Sequence, residues 1–310
     1  MLPLSVCVIT YNEERNIVAC LQSVEALADE VVVVDSHSTD RTREIAQSMG
    51  ARVIERDWTG HIDQKNFAID NAKNQWVLCL DADERVSPEL GALIVQALAD
   101  GSPAAHEDVD GYVVNRRTFY LGRFINHCGW YPDRKLRLFN RERGRWGGVN
   151  PHDRVNVEGA TEALDGDLHH YSYDDIADHL KTIDFFSGIS AAEKVERGQG
   201  KLFFMALFAP PLKFLKMFVL KLGFLDGRAG LIVCGLGAYY EFLKYARAWE
   251  LRHVKGVKPR TGKKVGYGRR GEAPAQRDLG SQELLDSVEV IESVEIEPDS
   301  AETTAPGEGR

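Results

Sequence analysis

The chain has 310 residues, of which 44% are hydrophobic and 27% charged, a composition that excludes a disordered or fibrous protein. Its five cysteines are odd in number and contain no C-x-x-C pair, which argues against a disulfide framework or a zinc site and favours a reducing compartment. The opening residues, MLPLSVCVITYNEE, lack a basic region before the apolar run, so we expect a first strand and not a signal peptide.

The first hundred residues alternate between apolar runs and amphipathic stretches. Asn12 is predicted as a helix N-cap with Glu13 and Glu14 in the first turn, and Ser87-Pro88 as the start of a later helix. Strands are predicted at 4–10, 30–36, 51–56 and 76–80, with helices after Asn12 and at 39–50, 62–73 and 87–99. This alternation predicts an α/β fold with a mostly parallel sheet covered on both faces.

Three polar clusters follow predicted strands directly: Thr10-Tyr11-Asn12, Asp35, and the pair Asp81 and Asp83. Ligands of such sheets gather at the carboxyl ends of the strands, so these clusters should converge on one edge. Closely spaced carboxylates repel each other, and Mg²⁺ or Mn²⁺ relieves that repulsion while leaving coordination positions for a diphosphate. The alternative is that the acids are only a capping cluster before the helix at 87–99.

From residue 110 to 170 the pattern changes to strands at DGYVVNRR and RKLRLFNR with aromatic loops, and 173–197 is predicted as a helix. His169 and His170 are not expected to be metal ligands, because adjacent side chains of an extended segment point in opposite directions. Residues 1–200 carry a net charge of −12, residues 201–270 a net +12, and residues 271–310 a net −9. Such a difference in net charge indicates that the three segments have different surroundings.

Residues 201–260 interleave lysines with Phe, Leu and Met, the composition of amphipathic helices in a membrane interface. The longest uncharged runs are 202–212, which we expect Pro210-Pro211 to break, and 229–240; neither reaches the roughly 20 residues of a membrane span. A buried hairpin or an oligomer interface is the alternative. The acidic body disfavours nucleic acid as a partner. Residues 265–310 are predicted to be an acidic, disordered tail.

Four motifs occur in order: VCVITYNEERNI (6–17), EVVVVDSHSTDRT (30–42), QKNFAI (64–69) and WVLCLDADE (76–84). Together they resemble glycosyltransferase family 2, the inverting nucleotide-sugar transferases of the GT-A fold. The resemblance implies a UDP-sugar donor and a Mg²⁺ or Mn²⁺ cofactor bound by Asp83. It implies these donor-site residues: Thr10, Tyr11, Asn12, Glu13, Asp35, Lys65 and Asp81. The chain departs from the family pattern at Asp35-Ser36-His37-Ser38, where Asp-Asp-Gly-Ser is frequent, and at Lys65, where Arg is common.

Inversion requires a base near the acceptor hydroxyl. The segment RWGGVNPHDRV (145–155) offers Asp153, where similar family members carry a His-Glu or Glu-Asp element, and His152 as its neighbour. A turn aspartate paired with Arg154 is the alternative role. Trp130, Arg134 and Arg137 are candidate acceptor contacts, because aromatic faces stack on sugars and arginines pair with phosphate; an ordinary strand with a half-buried tryptophan would look similar. The segment 142–146 lacks the Gln of the processive Q-x-x-R-W element, so single-sugar transfer is expected.

The run from 221 to 247 resembles the lipopolysaccharide-core branch of family 2, whose members add β-1,4-glucose at the cytoplasmic face of the inner membrane. The resulting expectation is a catalytic domain at 1–200, with a nucleotide-sugar half (1–100) and an acceptor half (101–200), followed by peripheral membrane helices at 201–260. The enzyme would transfer one hexose, by resemblance glucose, from a UDP-sugar to a membrane-held glycolipid. Two alternatives stay open: a polyprenyl-phosphate glycosyltransferase, and a membrane-associated nucleotide-binding scaffold without turnover.

Overall fold

The first strand, β1 (Leu2–Thr10), lies at the centre of a parallel half-sheet in a computed structural model that describes residues 2–99, 109–149 and 152–259. The predicted tail at 265–310 lies outside these ranges. The parallel half contains β2 (Ala28–Asp35), β3 (Arg52–Glu55) and β4 (Trp76–Asp81), in the order β3-β2-β1-β4. Helices α1 (Ile17–Gln22), α2 (Thr42–Ser48) and α3 (His61–Asp70) form the crossovers.

The sheet becomes mixed after β4. A short strand β5 (Glu84–Val86) precedes α4 (Pro88–Leu98), which begins as predicted with the Ser87 hydroxyl accepting a hydrogen bond from Leu90 N–H at 3.1 Å. The remaining strands are β6 (Val109–Tyr120), β7 (Arg123–Phe124), β8 (Asp133–Asn140), β9 (Gly144–Val149), β10 (His152–Val157) and β11 (Ala160–His170). The order continues from β4 as β8-β6-β11-β5, with β8 antiparallel to both neighbours and β6 parallel to β11.

Alternation along β1 builds a core on each face of the sheet. Val6 and Val8 pack on the side of α1 and α4, whereas Cys7 and Ile9 pack on the side of α3 with Trp146 of β9. Successive side chains of a strand point to opposite faces, which explains why β1 and β2 read as continuous apolar runs. The predicted parallel α/β core is confirmed, and it fixes the strand ends that carry the polar clusters.

Three helices follow the sheet: α5 (Ile176–Glu196), α6 (Leu202–Leu215) and α7 (Gly227–His253). A π-helical turn at 216–220 continues α6, and a short 3-10 turn at 223–226 leads into α7. The expectation that Pro210-Pro211 breaks the apolar run is wrong, since both prolines lie inside α6. Proline supplies a helical φ while removing an N–H donor, and packing of α6 on α7 compensates for the missing bonds.

The continuous helix from Leu202 to Leu220 is therefore 19 residues long, with a mean hydropathy of 1.7 and only 17% of its apolar window buried. Within the described ranges it is one segment whose length and composition would allow a membrane crossing. The expectation that the apolar runs of this region are too short to cross a membrane is therefore wrong for this helix. Its exposed apolar side chains suit either a membrane crossing or a position in the membrane interface.

Asp226 joins these helices to the sheet. Its carboxylate is fully buried and accepts hydrogen bonds from Asn126 N–H at 3.2 Å and His127 N–H at 2.8 Å. Its backbone carbonyl accepts one from Arg123 at 3.1 Å. A buried carboxylate is stable only when such donors replace water, so the contacts hold the 123–128 loop against the start of α7.

Candidate functional site

The carboxyl ends of β1, β2 and β4 bring three predicted donor-site residues to one edge. Thr10 pairs in register with Asp35, and Ile9 pairs with both Val34 and Asp81. Thr10 is buried, and its hydroxyl has no hydrogen-bond partner among the described residues. A buried hydroxyl without a partner is unfavourable unless a ligand or water completes it, so this edge is suited to a polar ligand.

Asp35 is held rigidly at the end of β2. It accepts a hydrogen bond from Ser38 N–H at 2.7 Å and another from the Ser38 hydroxyl, and Arg43 Nε lies 3.8 Å away. Burial raises the pKa of Asp35 above its usual range, although Ser38 and Arg43 oppose that shift. Ser38 therefore holds the carboxylate, and the Ser36 hydroxyl accepts a hydrogen bond from Gln64 at 3.0 Å, in the segment where the chain departs from the family pattern.

Asn12 is not the N-cap that the sequence predicts, because α1 begins at Ile17 with Asn16 before it. Asn12 instead has φ of +53°, a conformation that Asn tolerates better than most residues, and its side-chain oxygen accepts a hydrogen bond from Thr39 N–H at 2.7 Å. Glu13 N–H donates to the Thr42 hydroxyl at 2.8 Å. The 11–16 segment is therefore fastened to the loop after Asp35, and Tyr11 follows Thr10 at the same edge.

Lys65 connects the donor side to the predicted base. Its ammonium lies 3.2 Å from Asp81 and 2.9 Å from Asp153, and it sits 4.2 Å from the centre of the Trp146 ring. The lysine side chain is only 8% exposed, so water screens these contacts weakly. α3 supplies the lysine and β10 supplies Asp153, residues 88 positions apart in the chain.

Arg137 completes the charge network. Its guanidinium lies 3.1 Å from Asp81 and 2.6 Å from the fully buried Glu84, whose other oxygen accepts a hydrogen bond from Asp81 N–H at 3.0 Å. Burial alone would raise the pKa of Asp81, but the charges of Lys65 and Arg137 outweigh it and hold that pKa well below its usual range. Asp81 is therefore ionised at neutral pH and fixed from two sides.

Asp83 lies beside a histidine that sequence reasoning excluded. His170 Nε2 is 3.5 Å from the Asp83 carboxylate, whereas His169 packs on Phe124 with ring centres 4.4 Å apart. The two histidines do point apart, but that geometry removes only one of them from the site. No group of three or more His, Cys, Asp or Glu that could hold a metal ion occurs among the residues described. Mg²⁺ and Mn²⁺ are commonly held by one or two protein groups plus substrate phosphates, and an Asp–His pair fits that pattern.

The structure separates the candidate acceptor residues. Arg137 belongs to the acidic network, whereas the Arg134 side chain is exposed and forms no hydrogen bond or ion pair with any residue described. Trp130 packs with Tyr120, Tyr173 and His179 away from the carboxylates. Arg137 is thus buried beside Asp81 and Glu84 while Arg134 is exposed, and the acceptor role of these residues stays a prediction. His152 lies at the start of β10, and its side chain is outside the described part of the structure.

Three residues of the candidate site were not predicted from the sequence: Glu84, Trp146 and His170. Glu84 was visible as a third acid after a buried strand, but a carboxylate that anchors an arginine looks in sequence like any capping acid. Trp146 was noted only in a comparison with processive enzymes, although it packs under Lys65. His170 could have been recognised by considering the two histidines separately.

The sheet joins a parallel half to a mixed half, with carboxylates at the strand ends and a basic residue between them, and this is the arrangement of the GT-A class of nucleotide-sugar transferases. Residues 5–158 match the family model described as Glycosyl transferase family 2. The chain is 32% identical to the lipopolysaccharide core biosynthesis glycosyltransferase LpsC of Rhizobium meliloti (strain 1021), over 83% of this chain and 96% of that protein. The chain belongs to glycosyltransferase family 2, and it is a nucleotide-sugar-dependent glycosyltransferase.

A second relative supports this assignment. An uncharacterized glycosyltransferase, RT0209 of Rickettsia typhi (strain ATCC VR-144 / Wilmington), is 31% identical over 81% of this chain and 88% of its own length. A solved structure of glucosyl-3-phosphoglycerate synthase from Mycobacterium tuberculosis, with Mn²⁺, UDP and phosphoglyceric acid, is 20% identical, with a TM-score of 0.41 over 58% of this chain and 74% of that chain. That likeness is too distant to indicate a ligand. The similarity to LpsC confirms the predicted resemblance to the lipopolysaccharide-core branch.

Proposed function

We propose that the protein transfers one hexose, with glucose as the expected sugar, from a UDP-sugar to a membrane-held glycolipid such as the lipopolysaccharide inner core, with inversion. The observation that carries this proposal is Lys65 lying between Asp81 and Asp153, at 3.2 and 2.9 Å. The predicted base thus stands next to the predicted donor carboxylate. The name of the relative LpsC supports the choice of acceptor.

The residues at the strand ends suit the donor. The Asp35 carboxyl group and the Thr10 hydroxyl, which has no hydrogen-bond partner among the described residues, offer polar contacts for a nucleoside. Asp81 is positioned by Arg137 for a sugar or ribose hydroxyl. Asp83 and His170 would hold the divalent cation. When bound, that cation supplies positive charge to the diphosphate that leaves.

The acceptor side needs a proton acceptor. Asp153 is 15% exposed and can accept a proton from an acceptor hydroxyl through the oxygen not engaged by Lys65. A donor phosphate near Lys65 would compete for the ammonium, and this would weaken its hold on Asp153 as the donor binds. Lys65 would then stabilise charge on the leaving group as a point charge and not as a bidentate fork.

The helices after residue 200 support a membrane-held acceptor at the cytoplasmic face of the inner membrane. Lys213, Lys216 and Lys221 border an exposed apolar surface, an arrangement that favours a peripheral position on anionic lipid. A polyprenyl-phosphate acceptor is less well supported, because Arg137 is already paired with two acids and Arg134 lies outside that cluster.

The experiment is a screen of UDP-sugars for hydrolysis and for transfer to glycolipid from a strain deleted for this protein, with mass analysis of that glycolipid. We expect one UDP-hexose to be consumed, EDTA to stop turnover, and Asp83→Ala to lower it at least about 100-fold through loss of leaving-group stabilisation. Asp165→Ala is the matched control, since Asp165 is exposed. Full activity in EDTA and in Asp83→Ala would overturn the metal assignment, and no transfer with any UDP-sugar would overturn the donor class.

A further inference from the structure

A cleft with a volume of about 320 Å³ lies between α5, the helix of residues 202–220 and α7. Small-molecule sites usually occupy about 300–1,000 Å³ and are mostly apolar with a few polar groups, and this cleft is within that range. Most of its wall is aliphatic or aromatic, including Ile183, Phe186, Ile189, Met217, Val233 and Leu236. The nucleotide edge of the sheet does not contribute to it.

The polar groups of the cleft are mostly satisfied by the protein itself. Ser190 and Tyr240 share a hydrogen bond of 2.8 Å. His179 lies 3.2 Å from the Tyr120 hydroxyl, and burial lowers its pKa to about 4, so the ring is neutral at pH 7. Lys213 differs, because its ammonium has no hydrogen-bond or ion-pair partner among the residues described. A sugar would find few free partners on these walls, whereas an apolar chain with one anionic group would match them.

The outward face of the same helix indicates where such a chain would come from. Five of its side chains are 57–66% exposed: Phe203, Phe204, Leu207, Phe208 and Leu212. A soluble surface rarely carries so many adjacent large apolar groups unless it meets lipid or another protein. The basic residues of this region favour an anionic lipid surface. Lys213, which lines the cleft, follows the exposed Leu212 directly, so the same helix contributes to both the outward surface and the cleft.

We propose that the cleft binds one acyl chain of an anionic membrane lipid, with Lys213 pairing with the phosphate of that lipid. Trp130, which also lines the cleft, follows the 123–128 loop that Asp226 fastens to α7, and its N–H donates to the His127 carbonyl at 3.0 Å. If the lipid is the glycolipid acceptor, the bound chain anchors it beside the second half of the sheet. This last step rests on the proposed function, whereas acyl-chain binding itself does not.

The test uses the full chain with vesicles of phosphatidylethanolamine and phosphatidylglycerol that contain a trace of phosphatidylglycerol with a diazirine on its acyl chain. After photolysis, mass spectrometry locates the label. We expect labelled peptides from α5 and α7 around Phe186 and Leu236. Leu236→Trp, which fills the cleft, should reduce that labelling at least about tenfold, as expected for loss of most buried chain contacts. Lys213→Gln should reduce it roughly fivefold, the scale of one ion pair at a surface.

Two matched variants control the experiment. Leu231→Trp adds the same ring to an exposed position of α7 outside the cleft, and Lys181→Gln removes an exposed lysine of α5 that does not line the cleft. Neither should change labelling of the cleft, and melting temperatures establish that all variants fold. Labels confined to the outward residues 203–212, or cleft labelling that persists in Leu236→Trp, would overturn the proposal.

Competition identifies the source of the chain. Unlabelled phosphatidylglycerol and purified acceptor glycolipid are added at equal mole fractions. Stronger competition by the glycolipid assigns the cleft to the acceptor, and equal competition assigns it to bulk lipid; both results support acyl-chain binding. Transfer to a delipidated acceptor fragment is measured in parallel. Cleft labelling without transfer would count against the proposed function alone, and transfer without cleft labelling would count against this inference alone.

Discussion

Lys65 holds two carboxylates that are expected to serve different partners. In the proposed reaction Asp81 contacts the donor and Asp153 takes the proton of the acceptor, and each carboxylate lies within 3.2 Å of the ammonium. Because both carboxylates share one ammonium, a donor phosphate that attracts Lys65 would also weaken the contact of Lys65 with Asp153 and so affect the ability of Asp153 to accept a proton. The Trp146 ring on which the lysine rests restricts its motion to this small space.

Asp153→Asn separates chemistry from binding. The amide preserves the shape of the side chain but cannot accept a proton from the acceptor hydroxyl. Turnover should fall about 10²–10⁴-fold, the usual contribution of a positioned general base. Donor affinity should stay near wild type, since Asp81 still pairs with Lys65. Turnover, UDP-sugar affinity and melting temperature are measured together. Near-normal turnover would remove Asp153 from the mechanism and favour a phosphate acceptor, whereas a lowered melting temperature with normal specific activity would indicate a structural aspartate.

His179 gives a second test at residue scale. Burial holds its pKa at about 4, below the value near 6.5 in the unfolded chain. As pH falls from 7 to 5, the unfolded state binds the proton first, so this residue should remove about 2 kcal/mol of unfolding free energy over that window. Urea unfolding of His179→Phe should show a correspondingly smaller loss between pH 7 and 5. The exposed His253→Phe serves as control. An unchanged pH response in His179→Phe would contradict the buried neutral ring.

At the scale of elements, hydrophobic periodicity was sufficient to predict the strands and helices of the parallel half of the sheet. β-branched and apolar runs give buried strands, and the Ser87-Pro88 start of α4 follows from local chemistry alone. Asn12 was misassigned because a short polar residue after a strand serves equally well as a cap or as a positive-φ turn residue, and only the contact with Thr39 distinguishes the two. β5 could not be predicted, since three residues pair only when the distant β11 is present.

The candidate site was predictable in part for the same reason. Residues at the ends of parallel strands converge by topology, so Thr10, Asp35 and Asp81 could be grouped from sequence. The contacts of Asp153 and Arg137 depend on how β8 and β10 pack against α3 and β4, which no local pattern encodes. Arg134 and Arg137 looked equivalent in sequence, and the buried Glu84 distinguishes them.

The outward face of α6 makes a prediction about membrane binding. Replacing Leu212 and Leu215 together by Asp places two charges in a surface that is expected to enter the lipid interface. Binding to vesicles containing phosphatidylglycerol should weaken more than about tenfold, because each leucine contributes roughly 1.5–3 kcal/mol when buried. Val95→Asp on α4 is a control at a comparably apolar, exposed site. Sedimentation with vesicles at low and high salt measures the effect. Binding that the double substitution leaves intact would favour an oligomer interface on this face.

At the scale of the whole molecule, charge and packing divide the chain differently. The net charge changes sign near residue 200, which suggests a boundary there. Packing instead continues across it, because Tyr120, Ile125 and Cys128 share a core with Met217, Val233 and Cys234. The basic helices are thus expected to orient the acidic sheet on an anionic surface while forming part of the same folded unit. The division into domains at residue 200 stays a prediction.

Truncation distinguishes these two divisions. A chain ending at residue 200 would expose Tyr120, Ile125 and Cys128, which are at most 2% exposed, and would leave Asn126 and His127 N–H without the Asp226 carboxylate. Loss of that packing, at about 2 kcal/mol for each large side chain, should lower the melting temperature by more than about 10 °C. A chain ending at residue 270 should retain the wild-type melting temperature and nearly full turnover, because residues 271–310 are acidic and contain no aromatic residue to anchor a core. Asp226→Asn, which keeps the shape of the junction but removes its charge, should lie between the two. Calorimetry and turnover are measured on the three proteins. A stable, cooperatively folding chain of 200 residues would establish the domain boundary that the change in net charge suggests. A large fall in activity of the 270-residue chain would show that the tail acts on the enzyme.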